Sequence, residues 1–268
     1  MNSKLPIAYT ISGSDSGGGA GLQADLKVFS LFKVHGCSII TAITSQNTLG
    51  IQHILPIPND VVLSQFDSLF TDLPPDVIKI GMLGNTTEAA YQILKNITVP
   101  VICDPVLSSS SGENLLFNNQ LDFFREKIIP LTTILTPNLF EARELLNNDN
   151  LSIQEMSEQL LSLGAKCVLI KGGHSEDETC SDFFNDGIKS FFMESPRIKT
   201  RSLHGTGCIL SSAIAASIAN KQKLDQAVIT AKTYLNQSLS NAESIGQGFG
   251  PASFDSPCNE IKYKPNIS

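Results

Sequence analysis

The segment His204-Gly205-Thr206-Gly207-Cys208 sets a thiol one residue behind a Gly-Thr-Gly turn and at the start of a small-residue helical run. Such a turn aims several backbone N–H groups at one point, and the helix that follows adds its positive end. That arrangement is an anion hole, suited to charge building on a transferring phosphoryl group. A cysteine at a helix N-terminus is expected to have its pKa lowered from the free value of about 8.5. Taken singly, Cys208 is better explained as a small residue for close packing.

Four further motifs carry polar or glycine-rich chemistry. Gly13-Ser14-Asp15-Ser16-Gly17-Gly18-Gly19-Ala20-Gly21 lies between an apolar run and a helical pattern, where glycines let backbone amides approach a ligand closely. It matches neither GxGxxG nor the P-loop pattern, which disfavours a dinucleotide or Walker-type site. Asp104-Pro105-Val106 offers a carboxylate for Mg²⁺ or a cap for the next segment. In Thr136-Pro137-Asn138-Leu139-Phe140-Glu141, Asn138 and Glu141 have capping-box spacing, a structural role that needs no ligand. Lys171-Gly172-Gly173-His174 suits a phosphate contact, or a lysine snorkelling at a turn, with His174 structural or lining a rim.

These motifs must be positioned by the elements between them. Apolar runs at 7–12, 37–44, 76–82, 99–106, 132–137 and 167–173 are mostly continuous, as in strands buried on both faces. Helical patterns alternate with them at 21–35, 59–73, 87–96, 121–129, 138–147 and 152–163. Asn59-Asp60 and Ser152-x-x-Glu155 read as helix caps. Residues 180–196 predict a hairpin around Asn185-Asp186-Gly187, followed by helices at 207–221 and 224–244 and a surface loop from Gln247. The alternation predicts a mainly parallel sheet with helices on both faces, in one domain spanning residues 1–268. Every motif above falls at the carboxyl end of a predicted strand, where ligands collect in such sheets.

Composition narrows the class of function. The 268 residues are 41% hydrophobic, with mean hydropathy near zero and no apolar run of about 18 residues, so no membrane span is expected. The N-terminus lacks a signal-peptide pattern, which makes a cytoplasmic protein the expectation. Acidic residues outnumber basic ones 26 to 19, a balance that disfavours nucleic acid as a partner. Six cysteines, at 37, 103, 167, 180, 208 and 258, form no CxxC, and zinc is disfavoured. Apart from Cys208 they read as buried, reduced residues.

In order and spacing, the stretches ISGSDSGGGAGLQADLK, ITSQNT, IGML, DPV, LTPNLFEA, VLIKGGH, SPRIKTR and HGTGCILSSAIAA resemble the ribokinase-like superfamily, and within it the hydroxymethylpyrimidine/phosphomethylpyrimidine kinases of thiamine biosynthesis. The resemblance covers nearly the whole chain. It implies a three-layer α/β/α sandwich with a mostly parallel central sheet, a homodimer, and ATP and Mg²⁺ as cofactors. It assigns the pyrimidine to Gly13, Asp25, Gln46, Met82 and Val106. The nucleotide side falls to Asn138, Lys171, Gly205, Thr206 and Gly207, and the metal to Asp104 and Glu141. Cys208, where most of the superfamily has Asp, becomes the base for the substrate hydroxyl, with Lys171 and the Gly205–Gly207 turn completing the catalytic set. Two stretches depart from the family pattern: LSSSSG after Val106, and the partly matching glycine-rich tail GQGFGPASF.

The resemblance implies two successive phosphorylations of 4-amino-5-hydroxymethyl-2-methylpyrimidine, to the monophosphate and then the diphosphate. A pyridoxal-type vitamin kinase is the nearest alternative, since it shares the thiol. A sugar kinase fits less well because that branch carries Asp at the position of Cys208. A cysteine hydrolase would leave the phosphate-type motifs unexplained, and a non-catalytic nucleotide-binding regulator ranks lowest.

Overall fold

In the computed structural model the described residues are 5–108, 115–116, 120–173 and 178–268; Ser109–Gly112 of the LSSSSG stretch and His174 lie outside them. The described residues build one ten-stranded sheet. Six strands run parallel through its centre: β1 (Ile7–Asp15), β2 (His35–Asn47), β4 (Val77–Ile80), β5 (Val101–Cys103), β6 (Ile134–Leu135) and β7 (Val168–Ile170). Antiparallel strands flank them: β3 (Gly50–Pro56) beside β2, then β8 (Thr179–Asn185), β9 (Ser190–Pro196) and β10 (Asn266–Ile267) beyond β7. The spatial order is β10-β9-β8-β7-β6-β5-β4-β1-β2-β3.

Strand periodicity sends alternate side chains into two separate cores. Ile7, Tyr9, Ile11, Ile78, Ile80, Val101, Cys103 and Ile170 face the layer made by α2 (Asn59–Phe70), α3 (Thr87–Leu94), α5 (Leu139–Leu146) and α6 (Ile153–Ser162). Ala8, Val77, Ile102, Ile134 and Leu169 face α1 (Gly21–Leu31), α7 (Thr206–Ala219) and α8 (Leu224–Ser240). The anticipated three-layer α/β/α sandwich is therefore present. No helix among the described residues is long and apolar enough to cross a membrane.

Helix starts follow local chemistry. Asn138 and Ser152 each accept from the backbone N–H three residues on, while Glu141 and Glu155 reach back, so both capping boxes form as read. The Asn59-Asp60 cap does not: Pro58 is the extended residue before α2, and no side chain caps it. The segment 121–129 also differs from a plain helix. A single turn, α4 (Leu121–Phe123), passes into a π turn (Phe124–Ile128) and a 3₁₀ turn (Ile129–Leu131) where Pro130 interrupts the ladder.

Strands β3 and β10 were not anticipated, and β5, β6 and β7 are shorter than their apolar runs. The tail is correspondingly more than a surface loop. Its Phe249 N–H donates to the Thr48 carbonyl, Gly248 N–H to Thr48 Oγ1, and Asn266–Ile267 extends the sheet. All six cysteines are free; Cys180 and Cys258 are half-buried rather than buried.

Candidate active site

The strand order reverses at β1, which has β2 on one side and β4 on the other. The connections leaving β1 and β4 consequently diverge and open a crease at their carboxyl ends. Gly13 and Met82 meet across it, and a Cβ on Gly13 would press on Met82 Sδ at 2.9 Å. Met82 belongs to a small apolar cluster with Ala42 and Leu115, against which Val106 packs. Val106 holds φ at 39°, a left-handed conformation strained for a β-branched residue and of the kind found at ligand sites. Gln46, half-buried near the end of β2, completes this side. Gly13, Gln46, Met82 and Val106 are thus gathered around one crease.

Asp25 is elsewhere. It sits on α1 and is fully buried, with Oδ1 accepting from Lys79 Nζ (3.0 Å) and Ser212 Oγ (2.6 Å). Its Oδ2 accepts from Lys79 Nζ (2.9 Å) and Thr10 Oγ1 (2.5 Å). Both oxygens are taken within the α1/α7 layer, so the hydrogen bonding gives no support to the expectation that Asp25 pairs with a substrate ring. Thr10 and Lys79 are register partners on β1 and β4, and both point to that layer. Burial pulls the Lys79 ammonium down, but the Asp25 carboxylate more than offsets it and holds Lys79 above its ordinary value.

A polar cluster occupies the next strand ends. Lys171 Nζ lies 2.6 Å from Asp104 Oδ1 and 3.8 Å from Glu141 Oε2. These carboxylates raise Lys171 against the opposing effect of burial, so it stays charged. Burial and Asp104 raise Glu141, with Lys171 opposing them. Glu141 Oε2 also accepts from Asn138 N–H at 2.7 Å, so capping and site geometry share one residue. The α7 N-terminus abuts this cluster: a Cβ on Gly207 would stand 3.1 Å from Asp104 Oδ2 and 3.2 Å from Lys171 Nζ. Asp104, Asn138, Glu141, Lys171 and the Gly205–Gly207 turn are therefore brought together. Among the described residues no group of three or more His, Cys, Asp or Glu is placed to hold a metal. Two hard carboxylates beside a lysine ammonium fit Mg²⁺, which is commonly held by one or two carboxylates with the substrate's phosphates.

Cys208 lies where the two halves meet. Its sulfur accepts the Gly21 N–H at the start of α1, and it heads α7 itself. The expected lowering of its pKa is not what this environment produces. Burial pushes the thiol up to about 11, and the Lys79 ammonium and Gly21 N–H only partly counter it, while Asp25 and Asp104 add to the rise.

Gly205 joins the halves mechanically. It holds φ at +79°, and a Cβ there would run into the Gly19 carbonyl. A Gly205→Ala variant should lose kcat by about 10²-fold, the scale for losing one aligned anion-hole donor, and should melt earlier. Steady-state kinetics with a thermal melt checks both.

Asp15, which the motif reading left without a role, binds the same two loops. It accepts from the N–H groups of Gly17 (2.8 Å), Gly19 (3.0 Å) and Ala20 (2.8 Å) and lies 2.8 Å from His204 Nε2. Burial raises Asp15, but the bonds from His204, Ala20 and Gly17 outweigh it and leave it below the usual carboxylate value. A depressed folded-state value stabilises fully above the unfolded pKa, about 3.9, and is lost as pH falls through the folded one. Urea unfolding should show Asp15→Asn costing stability at pH 7 and progressively less below pH 4; a cost independent of pH would refute the assignment.

A cavity of about 620 Å³ lined by Arg125, Phe140, Arg143, Glu144 and others lies on the outer side of α5 and contains none of the motif residues that converge on Cys208.

A profile of the family described as phosphomethylpyrimidine kinase matches residues 15–253. The hydroxymethylpyrimidine/phosphomethylpyrimidine kinase of Rhizobium meliloti (strain 1021) is 42% identical over 253 residues, covering 91% of this chain and 95% of that one. The thiamine biosynthesis bifunctional protein ThiED of Geobacter sulfurreducens is 39% identical over 249 residues, 90% of this chain and 51% of that one. Among solved structures, the pyridoxal kinase of Staphylococcus aureus in complex with AMP-PCP superposes with a TM-score of 0.89 at 29% identity, covering 99% of each chain. With the profile spanning most of its length and the Rhizobium relative aligned nearly end to end, the chain belongs to the phosphomethylpyrimidine kinase family.

Proposed function

We propose that this kinase transfers a phosphoryl group from ATP to the hydroxymethyl group of 4-amino-5-hydroxymethyl-2-methylpyrimidine, and then a second to the monophosphate, in thiamine diphosphate biosynthesis. The observation that carries the reading is the position of Cys208, between the Gly13–Gln46–Met82–Val106 crease and the Asp104–Glu141–Lys171 cluster. Gln46 offers an amide to an aminopyrimidine edge, and Met82 and Val106 offer apolar cover for its ring. Asn138, Lys171 and the amides of Gly205, Thr206 and Gly207 hold the phosphates. Asp104 and Glu141 would hold Mg²⁺, which supplies charge neutralisation between phosphate oxygens. The thiolate form of Cys208 accepts the hydroxyl proton in the first transfer, becoming the thiol.

A transfer assay resolving mono- from diphosphate tests the reading, with pyridoxal run in parallel. Formation of both pyrimidine products supports it. Phosphorylation of pyridoxal alone favours the second reading, a pyridoxal-type vitamin kinase, which the Staphylococcus superposition keeps in view.

The same proposal takes residues 1–268 as one catalytic domain in a cytoplasmic homodimer. Exposed Ile43 and Leu55, paired across β2 and β3, offer an apolar face for a second copy. Sedimentation at micromolar concentration should give the dimer mass; a monomer there would exclude it.

A further inference from the structure

His204 heads the anion turn, yet its side chain faces the other half of the site. Its Nε2 lies 2.8 Å from Asp15 Oδ2 and 3.3 Å from the Gln46 amide nitrogen. The opposite end of that amide, the oxygen, is 3.1 Å from Thr44 Oγ1. A half-turn of the amide exchanges the two atoms, so the partners decide which orientation holds.

Both partners decide the same way. The Asp15 carboxylate already accepts three backbone N–H bonds and is ionised, so the proton between it and His204 resides on Nε2. A ring nitrogen donating to Asp15 has no lone pair for an N–H of Gln46; it can face only the amide oxygen. Thr44 Oγ1 has one proton and donates it to the Ser14 carbonyl at 2.9 Å. Toward Gln46 it can then only accept, so it requires the amide nitrogen. The amide is therefore turned with Oε1 to His204 and Nε2 to Thr44.

We infer that the Asp15–His204 pair is a positioning device that locks the Gln46 amide in this orientation, making His204 a determinant of which heterocycle edge the site accepts. With Oε1 against His204 and Nε2 against Thr44, one acceptor site and one N–H remain for a ligand, in a fixed left-to-right order. That order suits a ring nitrogen beside an exocyclic amino group. It opposes the isostere in which an oxo group stands beside a ring N–H, because both polar partners are then reversed. The inference rests on the aminopyrimidine reading above.

The test compares kcat/KM for the 4-amino substrate and its 4-oxo analogue in wild type, His204→Ala, His204→Gln and Thr44→Val. Wild type should prefer the amino compound by roughly 10²-fold or more, since a site built to pair polar groups rejects a ligand that leaves them unpaired. His204→Ala should cut that preference at least about tenfold, chiefly through KM of the amino substrate, because the amide is free to turn. His204→Gln, whose amide N–H can still reach Asp15, should restore most of it. Thr44→Val removes the other partner and should shift the preference in the same direction, which keeps the test decisive if His204→Ala fails to fold. An unchanged preference in folded variants overturns the inference and leaves the functional reading standing. Wild type inactive on the amino compound overturns that reading, and the inference with it.

Discussion

Replacing Cys208 with alanine should slow phosphorylation of the pyrimidine alcohol by about 10²- to 10⁴-fold, the contribution typical of a positioned general base, and leave phosphorylation of the monophosphate within a few-fold of wild type. The asymmetry follows from the nucleophile. The alcohol must lose a proton as it attacks, whereas the monophosphate presents an oxygen already ionised near neutral pH. The aligned amides of Gly205, Thr206 and Gly207 and the Lys171–Asp104 pair remain in the variant, so positioning of the phosphates is retained.

The pH profile sharpens this expectation. A thiol pushed up to about 11 by burial is almost wholly protonated at pH 7. The thiolate fraction then rises about tenfold per pH unit until the pKa is approached. The first transfer should accelerate with pH across the alkaline range, while the second stays flat. Single-turnover rates for each step, from pH 6.5 to 9.5, check it. Equal loss of both steps in Cys208→Ala would mark the thiol as a packing residue, and a first step indifferent to the substitution would remove it from the chemistry altogether.

What the sequence made legible depended on whether the signal was local. The central parallel strands were readable because both their faces are buried, so Ile102 sits in an unbroken apolar run. β3 was not, because Gly50–Pro56 carries Gly, Gln, His and Pro on a largely exposed edge and leaves no burial pattern. The strand-end motifs were readable as a set since parallel topology brings such ends together. Which side of the sheet a residue occupies was harder. Asp25 follows the first glycine loop closely in sequence, yet α1 turns it under the sheet to Lys79, 54 positions away. The available signal was the lysine itself, a lone charge within the buried run Val77–Ile80. Likewise His204 was visible in its motif, but Asp15, 189 positions away, gives it a purpose. The direction of the Cys208 shift was misread because a helix terminus is a local feature and burial is not.

Lys79 is where the second large effect is expected. Its ammonium and the Asp25 carboxylate are both fully buried and joined at 2.9 Å, and Thr10 and Ser212 use Asp25's remaining capacity. The network ties β1 and β4 to α1 and α7, the four elements that frame Cys208. Removing one charge of such a pair leaves the other uncompensated, which costs about 3–5 kcal/mol. Lys79→Met should therefore lower Tm by roughly 6–20 °C, given about 2–4 °C per kcal/mol for a domain slightly smaller than this one. Replacing both partners, as Asp25→Asn with Lys79→Met, removes the stranded charge, so the double variant should be more stable than Lys79→Met alone. The resulting double-mutant cycle isolates the pair from packing losses. The same substitution has a chemical consequence, because Lys79 is the cation that most opposes the rise of the Cys208 thiol. Without it, and with Asp25 still in place, the thiolate becomes rarer still, so at pH 7 the Lys79→Met variant should lose the first transfer more than the second. If both transfers fall together, Lys79 supports the fold alone; if the cycle shows no coupling, the pair is not the tie between sheet and helices that its geometry describes.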